Sequence, residues 1–124
     1  MGKVLILHDD PLLSEITAIA LEVRGHVVTC AQDGLDARRL SEGHAFDLIV
    51  LDSISVESEI STICSHASEQ NVFAQVAITL ASVGETDPSA CLSGVADTQV
   101  TMLKPMPAPE LHDAIIGLAA RIAC

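Results

Sequence analysis

The chain of 124 residues has no tryptophan or tyrosine and only two phenylalanines, so its core has to be assembled from aliphatic side chains and alanine. Basic residues are scarce as well: six Lys and Arg stand against 17 Asp and Glu, a formal net charge of −11. That balance argues against a nucleic-acid surface, which needs clustered Lys and Arg to displace counterions, and only Arg38 and Arg39 are adjacent. The four cysteines, Cys30, Cys64, Cys91 and Cys124, never fall in a CxxC spacing, so neither a zinc site nor a redox dithiol is indicated. Reduced thiols in a cytosolic protein are expected. Neither GxGxxG nor GxxxxGK[ST] occurs, which removes the glycine-rich phosphate loops. The opening apolar run, VLIL (4–7), is cut off by charge and is too short for a signal peptide or a membrane span. These absences predict a soluble, cytoplasmic protein with no membrane and no direct nucleic-acid partner.

What the chain does have is 49% hydrophobic residues over a length typical of one domain, enough to bury a substantial core. Continuous apolar runs recur at 4–7 (VLIL), 27–31 (VVTCA), 46–51 (FDLIVL), 73–81 (FAQVAITLA) and 100–103 (VTML). Short runs without alternation are expected of parallel strands covered on both faces. Stretches with helical period separate them. Leu13, Ile16, Ala20 and Val23 share one predicted face, Val56, Ile60, Ile63 and Ala67 another, and Leu111, Ile115, Leu118 and Ile122 a third. LDARRLSEG and DPSACLSG are shorter and weakly patterned. Pro11 suits the first position of the first helix, Asp10 its cap and Gly25 its end. Strand and helix thus alternate five times, predicting a parallel sheet with right-handed crossovers and helices on both faces.

In an open sheet of this kind, ligands bind beyond the carboxyl ends of the strands. The residues delivered there are His8 and Asp9, Asp52, Ser82 and Lys104, which bring carboxylates, a hydroxyl and an ammonium to one edge.

The segments KVLILHDDP, DLIVLD ending at Asp52, ITLAS ending at Ser82 and LKPMPAPEL around Lys104-Pro105 resemble, in order and spacing, the receiver domain of two-component response regulators. The resemblance covers essentially the whole chain, 1–124, as one receiver domain. It implies an α/β flavodoxin-like fold with a single doubly wound five-stranded parallel sheet in the order 2-1-3-4-5. It also implies that Asp52 accepts a phosphoryl group from a histidine kinase, a phosphotransfer protein or a small donor such as acetyl phosphate. Mg²⁺ would be held by Asp9, Asp52 and the backbone carbonyl of Ile54, with Lys104 and Ser82 on the phosphoryl oxygens. The product would be a signalling switch acting on a downstream target, with at most self-catalysed transfer and hydrolysis and no enzyme activity on other substrates.

Residue by residue, plainer roles stand beside these. Asp52 also suits a helix cap, Lys104 and Ser82 ordinary loop positions, and Asp10 the cap of the first helix rather than a pocket acid. The remaining histidines, His26, His44, His66 and His112, read as surface or packing residues.

The departures from the pattern concentrate in the pocket. His8 stands where the first of two pocket acids is usual, unless a one-residue slip makes Asp9 and Asp10 the pair. Imidazole is a poor ligand for Mg²⁺, so affinity should fall, with Mn²⁺ or Zn²⁺ penalised less. Val56 and Ile60 replace the usual proline and glycine after Asp52, and Thr101 occupies the position of a switching aromatic residue. A pseudo-receiver, the same fold used as a protein-interaction module without phosphorylation, is therefore the second expectation. A phosphatase of the haloacid dehalogenase kind would need an Asp two residues after the nucleophile, where Ile54 stands. With the fifth helix ending the sequence, either a single-domain regulator or a piece of a longer one is expected.

Overall fold

The computed structural model describes residues 2–52, 59–71, 73–80 and 100–122. Within them lie five strands, β1 (Lys3–Leu7), β2 (Val27–Cys30), β3 (Leu48–Asp52), β4 (Gln75–Thr79) and β5 (Val100–Leu103). Four helices accompany them: α1 (Pro11–Val23), α2 (Gly34–Gly43), α3 (Ile60–Gln70) and α4 (Ala108–Ile122). All strand pairs are parallel, and the sheet order is β2-β1-β3-β4-β5. The predicted helix over DPSACLSG lies outside the described residues.

Alternating side chains on each central strand feed two separate cores, which is why the runs show no polar alternation. Val4 and Ile6 of β1 and Leu48 and Val50 of β3 pack with Leu13 and Leu21 of α1 and with Leu111, Ile115 and Ala119 of α4. On the other face, Leu5, Leu7, Ile49 and Leu51 meet Ala37 of α2 and Ile60, Ile63, Cys64 and Ala67 of α3. The strand predicted over 46–51 starts later and runs one residue further, so that Asp52 is itself the last residue of β3.

The start of α1 follows the sequence closely. Pro11 is its first residue, and the Asp10 carboxylate accepts from the N–H groups of Leu12 (3.0 Å) and Leu13 (3.3 Å). Gly25, just past the cap at Arg24, has φ 94°, a left-handed conformation in which glycine carries no Cβ penalty.

The face of α1 does not follow the prediction. Leu13 is buried as expected, but Ile16 and Val23 are 49% and 81% exposed, and the inward positions are Leu13, Ser14, Thr17, Ala18 and Leu21. Thr17 can be fully buried because its hydroxyl lies 3.1 Å from Nδ1 of His112 on α4, which satisfies the polar group and joins the two helices. Other histidines have similar packing roles. His26 is buried with Nδ1 accepting the Gly2 N–H (3.2 Å), and His66 of α3 meets Ser41 of α2 at 3.3 Å.

Cys64 is buried within α3, and loss of water around it pushes its thiol up to about 11. Because the folded value lies above the unfolded one, this thiol's contribution to stability is complete below about pH 9 and is lost as pH rises through 11. Denaturant unfolding at pH 8 and pH 10.5 should therefore show wild type losing about 2 kcal/mol more than Cys64→Ala across that interval.

Candidate functional site

Four strands deliver their carboxyl ends to one cavity of about 350 Å³. His8 and Asp9 follow β1, Asp52 ends β3, Thr79 ends β4 with Leu80 after it, and Lys104-Pro105 follow β5. Met106 and Leu111, at the entry to α4, close the apolar side. Parallel register makes the convergence unavoidable: Asp52 pairs with Thr79 and Thr79 with Leu103, and the Leu80 N–H donates to the Leu103 carbonyl at 3.0 Å. Lys104 is thereby held beside the end of β4.

The depths of the three titratable groups near β1 and β3 differ. Asp52 is buried at 3% exposure, the His8 side chain is 17% exposed and that of Asp9 66%. One ligand atom from each lies within 4.8 Å of the others. Nδ1 of His8 stands 3.0 Å from Oδ1 of Asp9 and 3.1 Å from the backbone nitrogen of Asp10. Asp10 itself does not line the cavity. Its carboxylate caps α1 and borders a separate apolar groove between α1 and α4. His8 and Asp9 line the cavity, while the Asp10 carboxylate is engaged in the cap of α1.

Of the other expected positions, Lys104 lines the cavity, while Ser82, Ile54 and Val56 lie outside the described residues. Thr101 does not reach the site. On the edge strand β5 it pairs with Ala77 of β4 and borders a second cavity with Asp47, Phe73 and Gln75 at the opposite strand ends. Sequence reasoning missed Thr79. It lines the cavity as the last residue of β4, and its hydroxyl donates to the Leu51 carbonyl (3.2 Å).

No family model matches the chain. The transcriptional regulatory protein TcrA of Mycobacterium tuberculosis is 30% identical over 119 residues, 96% of this chain and 46% of TcrA. The solved receiver domain of the Francisella response regulator 1452 shares 25% identity with a TM-score of 0.63, covering 98% of both chains. In sequence and in fold the chain resembles response-regulator receiver domains. A response regulator from Burkholderia pseudomallei, solved with a phosphorylated aspartic acid, a calcium ion and citrate, has the same fold at 17% identity and TM-score 0.63, covering 98% of this chain and 71% of that one. The chain spans about half the length of TcrA. Its sheet order is the one expected of the family, and no helix among the described residues is long and apolar enough to cross a membrane.

Proposed function

We propose that this receiver accepts a phosphoryl group on Asp52 from a histidine kinase or a phosphotransfer protein, and that the acquired charge switches a surface read by a downstream target. The observation that carries the reading is a buried carboxylate at the end of β3, grouped with His8 and Asp9 in a cavity that also opens onto Lys104. The related fold solved with a phosphorylated aspartic acid supports it.

Asp52 is the nucleophile: a carboxylate oxygen forms a bond to phosphorus as the bond to the donor's imidazole nitrogen, or to the oxygen of acetyl phosphate, breaks. The Lys104 ammonium meets the charge of the transferred phosphoryl oxygens. Two carboxylates beside an imidazole fit a divalent cation, with Asp9 and Asp52 as its oxygen ligands. Mg²⁺ at that place would neutralise the negative charge that otherwise keeps carboxylate and phosphoryl group apart. By family analogy the Ile54 carbonyl and the Ser82 hydroxyl, both outside the described residues, would complete the set. The Thr79 hydroxyl donates to the Leu51 carbonyl, so its proton is already engaged there.

Intact-mass spectrometry after acetyl phosphate treatment, with Mg²⁺, with Mn²⁺ and without metal, tests the proposal. A single phosphoryl adduct is expected in wild type and none in Asp52→Ala. Folded wild-type protein that takes no adduct from acetyl phosphate or from kinases would support the pseudo-receiver reading, which the presence of His8 in the acid's place favours.

A further inference from the structure

We infer that the groove between α1 and the end of β2 binds a linear organic polycation, a polyamine of the spermidine class. The inference goes beyond the phosphoacceptor reading and needs neither Asp52 nor Lys104.

The groove has a volume of about 610 Å³, within the range of small-molecule sites. Pro11, Ala18 and Ile19 line it with apolar surface, and Asp9, Glu15 and Glu22 bring three carboxylates to it. Glu15 and Glu22 are seven residues apart on α1, close to two full turns, so they stand in line on one side of the helix about 10 Å from each other. Carboxylates that far apart cannot share one metal ion, and neither belongs to a group of side chains able to hold one among the described residues. A chain of ammonium groups joined by methylene spacers fits them instead, with its stems on the apolar surface and its charges on the acids.

The negative charge here lacks a protein partner. Among the described residues no Lys or Arg pairs with Glu15 or Glu22, and Arg24, just beyond the helix, donates to the Ala20 carbonyl. Burial pushes the Cys30 thiol on the groove wall up, and the Glu22 charge pushes it further in the same direction.

An independent sign of a ligand comes from Ser14. The residue is 9% exposed, yet its hydroxyl has no hydrogen-bond partner among the described residues. Buried polar side chains are ordinarily paired. No such atom among the described residues is sealed from water without a partner, so this hydroxyl reaches water through the groove that Ser14 lines. Its oxygen is thereby available to an ammonium N–H on the same path as the two glutamates. The groove shares His8 and Asp9 with the cavity of Asp52, so a bound polyamine adds positive charge beside that cavity.

Calorimetric titration of spermidine into the full chain at fixed ionic strength tests the inference. One-to-one binding is expected. Glu15→Gln, Glu22→Gln and Ser14→Ala should each weaken it by about three-fold, and the two glutamate changes together by about ten-fold. Glu42→Gln combined with Glu69→Gln, which removes the same charge from exposed positions outside the groove, should stay within about two-fold of wild type. Putrescine, too short to reach both glutamates, should bind about five-fold more weakly than spermidine. Equal losses in the two double variants would reduce the binding to diffuse attraction by the net charge and overturn the inference, as would the absence of spermidine binding to wild type. Tighter binding of trilysine than of spermidine would overturn the polyamine assignment in favour of a basic peptide segment.

Discussion

Lys104→Ala is expected to slow formation of the Asp52 adduct from acetyl phosphate by about a hundred-fold or more, the range seen when one preorganised charge-stabilising group is removed from a reaction centre. Lys104 is exposed, follows the last residue of β5 and belongs to neither core, so the unfolding midpoint should be close to that of wild type. The loss is therefore chemical rather than structural. The ammonium is a compact charge, and its backbone is held toward Asp52 by the bond between the Leu80 N–H and the Leu103 carbonyl. Lys104→Arg keeps the charge but spreads it over a planar fork, and should recover only part of the rate. Time courses by intact mass at saturating metal distinguish these cases. Equal rates for wild type and Lys104→Ala would remove Lys104 from the mechanism.

The second large effect concerns α1. Leu21→Ala should destabilise the protein by about 2–5 kcal/mol, because Leu21 is fully buried between β1, β3 and α4, where a cavity cannot readily collapse. Ile16→Ala, on the same helix and of similar side-chain volume, should stay within about 0.5 kcal/mol of wild type. Ile16 is half exposed, and alanine is the better helix former. Urea unfolding of the two variants reads the difference directly. Similar losses in both would mean that the inward face of α1 is not the one described.

That contrast also shows where the sequence could be read and where it could not. The parallel sheet was legible because its central strands are covered on both faces, which forces runs such as VLIL and LIVL. The site was legible because parallel strands end together, so His8, Asp9, Asp52 and Lys104 could be placed at one edge from the ends of the runs. The cap at Asp10 was legible from Pro11, a local signal needing no tertiary context. The face of α1 was not, because apolar residues occur on both sides of the helix. What turns Thr17 inward is a histidine on α4, a partner 95 positions away that periodicity cannot detect. Thr79 was hidden for a related reason: inside an apolar run a threonine reads as one more β-branched residue, and only the register shows that it faces Asp52.

The order of strands has a consequence for how the chain is made. β1 is synthesised first yet ends up second in the sheet, with Val4 beside both Val28 and Leu48. Until β3 emerges, a strand apolar on both faces has one open edge and an incomplete cover, a state prone to associate with other chains. Long-range parallel pairing also makes closure slow compared with helix formation. Slow refolding from denaturant and losses at high protein concentration during expression would therefore be two sides of one topology.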